Sequence, residues 1–93
     1  MARGPRRPAR TSQFRRDYKR CKRRGYGMSE LQRVMEILIA GEVLDERHRD
    51  HELTGPWKGH RDCHIRSDWL LIYRVEGDVI TFERTGTHAD LFG

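Results

Sequence analysis

The spacing of apolar residues predicts two helices in the first half of the chain. In the first stretch, which Thr11 or Ser12 can cap, apolar side chains recur at intervals of four and three. They are Phe14, Tyr18 and Cys21. The second stretch has the wider apolar face of a buried helix, beginning with a capping box at Ser29 and ending at Gly41. Its apolar residues are Leu31, Val34, Met35, Leu38 and Ile39. The two stretches predict a helical hairpin.

The second half of the chain changes to patterns that are typical of strands. Residues 60–65 alternate, residues 69–75 are apolar on both faces, as in a central strand, and residues 79–84 follow a Glu-Gly-Asp turn. The polar residues 41–59 predict a long loop, of the kind that is usually functional or disordered. We therefore expect one α+β domain over residues 1–93, in which a helical hairpin packs on a small antiparallel sheet.

The residues before the first helix limit what the chain can be. Pro5 and Pro8 remove backbone donors, so residues 1–10 form a basic extension or at most a short edge strand. No apolar stretch follows the basic start, as it would in a signal peptide, and no apolar run reaches the roughly 18 residues that span a bilayer. Two cysteines do not make a disulfide framework. We expect a small, soluble, cytoplasmic protein with no membrane partner.

Positive charge is concentrated at the start of the chain. Residues 1–24 hold 11 Lys or Arg and one acidic residue, Asp17, whereas the remaining residues hold 8 basic and 13 acidic groups. The first segment therefore carries +10 and the rest carries −5. A solvated tail would explain such a run, but this one continues into the predicted first helix, which favours a surface that binds a polyanion.

The second half of the chain holds all five histidines, whose side chains can move protons near neutral pH. A ribonuclease that leaves a cyclic phosphate needs a base, an acid and a cation beside the phosphate. The candidates for proton transfer are His51, His64, Asp68 and His88. The candidates for phosphate binding are Arg84 and Lys58, and those for stacking on bases are Trp69 and Phe92.

The order of the predicted strands brings four of these groups together. In a three-stranded antiparallel meander, the end of the first strand, the start of the second and the end of the third lie at the same end of the sheet. His64, Asp68, Arg84 and His88 occupy these places, so we expect them to cluster.

Several candidates also have a purely structural explanation. Asp68 is a residue type that favours turns, and Trp69 fits the core of a central strand. Arg84 could pair with Asp62 or Glu83 instead of a phosphate.

A zinc site is a competing interpretation of the histidines. His48, His51, His60, Cys63 and His64 are ligand types at short spacing, but no Cys-x-x-Cys pair is present. His60 and Cys63 would lie on opposite faces of a strand, which disfavours a shared metal ion. We therefore expect no metal and no cofactor, with Cys63 as a small buried hydrophobic residue.

Five segments of the chain resemble the YafQ branch of the RelE superfamily of toxins. They are Asp50-His51-Glu52-Leu53, Gly55-Pro56-Trp57-Lys58-Gly59, Arg61-Asp62-Cys63-His64, Asp68-Trp69-Leu70-Leu71-Ile72-Tyr73 and Glu83-Arg84-Thr85-Gly86-Thr87-His88-Ala89-Asp90-Leu91-Phe92-Gly93. The resemblance is dense across residues 50–93 and looser across the helices. The last segment carries the most specific motif, Arg-Thr-Gly-Thr-His-x-x-Leu-Phe.

This resemblance implies a fold, a reaction and a set of site residues. It implies a RelE-like microbial-ribonuclease fold and the toxin of a type II toxin–antitoxin pair. Such toxins are mRNA interferases, metal-independent endoribonucleases that enter the ribosomal A site and cleave mRNA by general acid–base chemistry, which inhibits translation. The site positions that carry over are His51, His64, Asp68, Trp69, Arg84, His88 and Phe92. The assignment of base and acid stays open, with a preference for His88 as the acid.

The resemblance also implies partners. These are an antitoxin of the DinJ or RelB type, the 70S ribosome with its rRNA, and mRNA. A basic face of the first helix would contact rRNA phosphates through Arg15, Arg16, Lys19, Arg20, Lys22, Arg23 and Arg24. The alternative is a non-catalytic basic module that binds RNA or a partner, such as a degenerate toxin, although every matched site position is filled here.

Overall fold

The structure is a computed structural model that describes residues 5–93 and has an α+β fold. The strands are β1 (Arg7–Arg10), β2 (His51–Glu52), β3 (Arg61–Arg66), β4 (Trp69–Glu76) and β5 (Val79–Gly86). They form one sheet in the order β1-β5-β4-β3-β2. The α-helices are α1 (Ser12–Arg23), α2 (Met28–Ile39) and α3 (His88–Phe92). Within the described residues, no helix has the length and apolar character needed to cross a membrane. The predicted α+β class and the antiparallel meander of β3, β4 and β5 are confirmed.

The first strand enters the sheet by parallel pairing, which the sequence pattern did not indicate. Arg7–Arg10 runs beside the first half of β5, and Pro8 lies within this edge strand. An edge position tolerates proline because one side of the strand has no partner to bond. The predicted short edge strand is therefore confirmed for residues 7–10, whereas residues 1–4 of the predicted extension lie outside the described residues.

Thr11 begins α1 and connects it to the sheet. Its side chain accepts a hydrogen bond from the Phe14 N–H at 2.9 Å and donates one to the Glu83 carbonyl at 2.9 Å. Phe14 and Cys21 are fully buried, so the predicted apolar stripe faces the core. Gly25 follows the helix with φ +81°, a backbone conformation that suits glycine, and turns the chain toward α2.

The second helix begins one residue earlier than its sequence pattern predicted. Gly27 is its N-cap and no side chain caps this end, so the predicted capping box at Ser29 is wrong. Gln32, the expected partner in that box, donates instead to the Tyr18 hydroxyl at 2.7 Å. The predicted apolar face is confirmed: Leu31, Val34, Met35 and Leu38 are buried, and Ile39 packs against the same cluster.

Apolar side chains are buried on both faces of the sheet. The face toward α1 and α2 carries the larger cluster, which includes Phe14, Leu31, Met35, Trp69, Leu71 and Phe82. The opposite face carries a smaller cluster of Leu70, Ile72 and Leu91, with Leu53 and Trp57 packed against it. β4 contributes to both clusters because its first five residues, Trp69–Tyr73, are all apolar and buried, as in a central strand.

The polar segment between α2 and β3 is built from short regular pieces, which corrects the expectation of one long loop over residues 41–59. It contains 3₁₀ turns at Glu46–His48 and Gly55–Trp57, with β2 between them. β2 pairs with the start of β3, and this pairing sets His51 opposite Asp62.

A buried carboxylate, Asp17 on α1, completes the edge of β5. β1 covers only the first part of β5, which leaves the later residues without a strand on that side. Asp17 is 0% exposed and accepts hydrogen bonds from the Thr85 N–H at 3.2 Å and from Arg84 Nε at 2.7 Å. Arg20 Nη2 and Gln13 Nε2 also donate to this carboxylate, at 3.1 and 3.0 Å. A helix side chain thus satisfies a sheet edge that no strand covers.

Asp17→Ala should lower the free energy of unfolding by about 3 kcal/mol or more, because it leaves two guanidinium groups and a backbone N–H without their buried acceptor. Urea denaturation measures this loss. The control is Asp78→Ala, which removes the solvent-exposed pair with Arg7 and should cost less than about 1 kcal/mol. Equal losses in the two variants would contradict the structural role of Asp17.

Candidate active site

The best-defined contact in the predicted cluster joins Asp68 to His88. Asp68 lies in the turn between β3 and β4, and His88 is the first residue of α3. The Nδ1–H of His88 donates to Asp68 Oδ1 at 2.6 Å, and the backbone N–H of His88 donates to the same oxygen at 2.9 Å. These two bonds hold the pKa of Asp68 below its usual value, chiefly through the backbone N–H. They also fix the tautomer of His88, so that its Nε2 is the nitrogen left for chemistry.

His64 stands beside this pair as the second histidine of the site. Its ring centroid lies 5.7 Å from that of His88, with the ring planes at 70°. Burial lowers the pKa of His64, and the nearby positive groups lower it further, although Asp62 acts in the opposite direction. Because the ordinary value is already about 6.5, His64 is a neutral imidazole at neutral pH. Neutral imidazole is the form that accepts a proton.

His51 and Asp62 extend the site across the edge of the sheet. His51 Nε2 lies 3.9 Å from Asp62 Oδ2, and His51 Nδ1 donates to the Arg49 carbonyl at 2.6 Å. Arg49 holds that carbonyl in a left-handed conformation, with φ 47°, which is unusual for a residue other than glycine. The result is a His51 ring that is anchored through Nδ1 and turned toward Asp62 through Nε2.

Asp62 is a site residue for which the sequence pattern suggested only a pairing with Arg84. Its side chain is buried, and Oδ1 has no hydrogen-bond partner among the described residues. Burial raises the pKa of Asp62, although His51, His64 and His88 counteract it. Its alternation with His64 on one face of β3 was the available signal, because two residues on the same face of a strand are neighbours.

Arg84 lies on the same face of the sheet as Asp62, since both lie opposite Ile72. Its guanidinium is hydrogen-bonded to a residue that the sequence did not suggest. Its Nε and Nη2 donate to Asp17 at 2.7 and 3.3 Å, so the pairing considered with Asp62 or Glu83 is wrong. Glu83 contacts Arg74 and His60 instead. The guanidinium of Arg84 is therefore fixed on one side and keeps Nη1 without a hydrogen bond to any described residue.

The predicted short tail after β5 is the helix α3, and it is tightly attached. Thr87 and Asp90 form a capping box that begins the helix. Arg24 Nη1 donates to Asp90 at 2.6 Å, and Arg20 Nη2 lies 3.6 Å from the same carboxylate. Arg24 is the main reason that the pKa of Asp90 lies well below its usual range. At Gly86 a Cβ atom would lie 2.8 Å from Asp90 Oδ2, so this close approach requires glycine.

Two members of the predicted rRNA-binding face, Arg20 and Arg24, are ion-paired within the protein. Arg20 pairs with Asp17 on the same helix. Arg24 follows α1, is exposed and pairs with Asp90 on α3. The other members of that face are exposed and stay candidates for phosphate contacts. They are Arg15, Arg16, Lys19, Lys22 and Arg23.

The three residues predicted to bind substrate have different outcomes. Trp69 is 3% exposed, and its Nε1 donates to Thr85 Oγ1 at 3.0 Å, so the prediction that it stacks on RNA bases is wrong and its core explanation holds. Phe92 is 46% exposed with its ring centroid 6.4 Å from that of His88, which suits a stacking surface. Lys58 is exposed but precedes β3, whereas His64 lies near the other end of that strand.

The residues considered as zinc ligands do not converge. His48 is buried and donates through Nδ1 to the His64 carbonyl at 2.7 Å, as a satisfied structural histidine does. Cys63 is buried in the larger core cluster, on the opposite face from Asp62. In the described part of the chain, no group of three or more His, Cys, Asp or Glu side chains is arranged to hold a metal ion.

Known proteins share both the sequence pattern and the fold of this chain. The family model described as "Bacterial toxin of type II toxin-antitoxin system, YafQ" matches residues 6–93. The mRNA interferase toxin YafQ of Escherichia coli K12 is 43% identical over 84 residues, which cover 89% of this chain and 91% of that protein. A crystal structure of YafQ from E. coli BL21(DE3) has a TM-score of 0.91 at 40% identity, covering 95% of this chain and 99% of that one. YafQ in the crystal structure of the E. coli DinJ–YafQ complex has a TM-score of 0.89 at 42% identity, with the same coverage.

The pKa of His64 should lie below 6.5, and Asp62→Asn should lower it further by removing the negative charge that favours the imidazolium. NMR titration of the histidine ring resonances measures both values. Asp78→Asn, at the distant turn between β4 and β5, is the control and should leave the titration of His64 unchanged. A wild-type pKa at or above 6.5 would show that His64 is not desolvated as the structure indicates.

Proposed function

This chain belongs to the YafQ family of type II toxins, and we propose that the edge formed by His64, Asp68 and His88 cleaves mRNA by general acid–base chemistry. The observation that carries the proposal is the pair of histidine rings with centroids 5.7 Å apart, one desolvated and the other hydrogen-bonded to a carboxylate. Cleavage of a phosphodiester by its own 2′-hydroxyl requires one group to accept a proton and another to donate one. Two differently held histidines supply that asymmetry.

His64 is the proposed base and His88 the proposed acid. Neutral His64 accepts the proton of the 2′-hydroxyl as this oxygen attacks phosphorus. The bond from phosphorus to the 5′-oxygen breaks, and that oxygen takes a proton from His88, which leaves a 2′,3′-cyclic phosphate on one fragment. Asp68 orients the His88 ring through Nδ1 and stabilises the positive charge that the ring carries before it donates. This sequence of steps requires no metal ion.

Arg84 is the proposed cation for the phosphorane. Asp17 holds its Nε and Nη2, which fixes the guanidinium plane before substrate arrives. Nη1 is then the group that donates to a non-bridging phosphate oxygen as negative charge develops there. A fixed donor loses little conformational freedom on binding, which is the condition for effective electrostatic stabilisation.

The remaining residues are proposed to position mRNA and the ribosome. Phe92 offers an exposed ring beside His88 for stacking on a base. His51 lies on the same edge as an additional proton-transfer group, and Lys58 is a phosphate contact farther along the strand. The five exposed basic residues of α1 would contact rRNA in the ribosomal A site, which accounts for ribosome-dependent cleavage.

A cognate antitoxin of the DinJ type is the proposed protein partner. The E. coli YafQ relative is found in a crystal structure of the DinJ–YafQ complex, and 42% identity over 95% of this chain supports an equivalent complex here. A partner with acidic segments would complement the basic exposed face of α1. Ribosomes and mRNA as targets imply that the protein acts in the cytoplasm.

His88→Ala and His64→Ala should each reduce cleavage of a defined mRNA on programmed 70S ribosomes by about 10²- to 10⁴-fold, since each removes one proton-transfer group. His60→Ala is the matched control, because His60 contacts Glu83 outside the site. This variant should cleave at the wild-type rate. Reactions in a chelator selective for transition metals, at constant free Mg²⁺ so that the 70S ribosome stays assembled, test whether the toxin needs a bound metal ion. Reactions without ribosomes test the ribosome dependence.

Three results would count against this function. Unchanged cleavage by both site variants would place the chemistry elsewhere, and loss of cleavage in chelator would make the reaction metal-dependent. Ribosome binding by wild-type protein without any cleavage would favour the non-catalytic binding module.

Ribosome binding should respond to the exposed charges of α1 separately from cleavage chemistry. Replacing Arg16 and Arg23 with glutamine should reduce the slope of log K against log salt by about 2, because each arginine that contacts a phosphate contributes about one released counterion. Sedimentation of ribosomes with bound toxin at several salt concentrations measures this slope. Arg7→Gln is the control, since Arg7 lies on β1 and is paired with Asp78 in the turn between β4 and β5. An unchanged slope in the double variant would remove α1 from the ribosome contact.

A further inference from the structure

A cleft that the proposed mechanism does not use lies directly beside His64. It has a volume of about 790 Å³ and is bounded by α2, the 3₁₀ turn Glu46–His48 and the end of β3. β2 pairs with β3 only at Arg61 and Asp62, so no strand formed by residues 5–93 covers the outer edge of β3 where the cleft is located. Cavities of about 300–1,000 Å³ are typical of sites for small ligands or parts of larger ones.

The cleft has an apolar floor and a basic rim. Val34, Ile37 and Ile65 supply the apolar side chains. The rim holds the exposed guanidinium groups of Arg33 and Arg47, and Arg49 lies next to them.

Three of the four arginines that line the cleft have no ion-pair partner among the described residues, although the Asp45 carboxylate lines the cleft too. Arg66, at one end of the cleft, is paired with Glu30. None of the ion pairs within residues 5–93 involves Arg33, Arg47 or Arg49. Arg47 donates through Nε to His48 Nε2 at 3.4 Å. Guanidinium groups with no ion-pair partner around an apolar surface match a ligand that has both a phosphate and a flat apolar ring, and a nucleotide has both.

The wall of the cleft is connected to the catalytic edge by two hydrogen bonds. His48 donates to the His64 carbonyl at 2.7 Å, and the Arg49 carbonyl accepts from His51 Nδ1 at 2.6 Å. A group bound in the cleft is therefore adjacent to the histidines that face the scissile phosphate. This continuity favours a nucleotide of the same RNA strand over an acidic protein segment.

We propose that this cleft is a subsite for one nucleotide of the mRNA, next to the bond that is cleaved. The proposal rests on the proposed function and extends it to substrate selection. The base lies on the apolar floor, and Arg33 and Arg47 hold the flanking phosphate or stack on the base.

The experiment is a double-mutant cycle in which one change is made in the RNA and the other in the protein. Each combination is measured as kcat/KM on programmed 70S ribosomes. Each nucleotide within two positions of the cleavage site is made abasic in turn. With wild-type protein, removal of the base at one position should lower kcat/KM about tenfold, the size expected for losing one stacked base. With Arg33→Ala/Arg47→Ala, intact mRNA should show a comparable loss, and removing the same base should then cost less than about twofold.

The control is Arg7→Ala/Arg10→Ala, which removes the same charge from β1 on the opposite edge of the sheet. It should keep the full tenfold penalty at the abasic position. Arg33→Ala alone, on the exposed face of α2, repeats the cycle if the double variant folds poorly.

The outcomes separate the subsite from the function on which it rests. Equal abasic penalties in wild-type and cleft variants overturn the subsite while leaving the cleavage function intact. Equal abasic penalties, together with weaker binding of the cognate antitoxin by the cleft variant than by the wild-type protein, assign the cleft to the antitoxin instead. No cleavage of any mRNA by the wild-type protein overturns both proposals.

Discussion

The buried carboxylate of Asp17 is the interaction on which the rest of the structure depends. A charge that is 0% exposed is stable only when donors surround it, and here they come from α1 itself and from β5. The same bonds close the uncovered edge of the sheet and orient Arg84. Fold stability and the placement of the proposed phosphate-binding cation therefore have one common cause.

The position of His88 also depends on residues at the end of α1, because Arg24 pairs with Asp90 of α3. A helix as short as α3 is not stable by itself, so it needs tertiary contacts to exist at all. The Arg24–Asp90 pair and the burial of Leu91 supply these contacts, and the capping box adds hydrogen bonds within the first turn. His88 is then presented to Asp68 from a fixed helix start, which is the preorganisation that acid–base chemistry requires.

Charge is divided between structure and surface. Two of the seven basic residues considered on α1 hold Asp17 and Asp90, while five point to solvent. At the proposed site, His64 is desolvated, whereas His88 donates a hydrogen bond to Asp68. Two similar histidines thus have different environments, and this difference supports the assignment of separate roles.

Periodicity along the chain by itself determined both main helices, the three-stranded meander and the convergence of His64, Asp68 and His88, because these follow from neighbouring residues and strand order. The parallel pairing of β1 and the choice between a stacking and a core role for Trp69 were decided only by packing between elements. Arg84 had nearby carboxylates available, yet it pairs with Asp17, 67 residues away. Local pattern specifies which faces are buried, whereas the partner of a buried charge depends on which distant elements meet there.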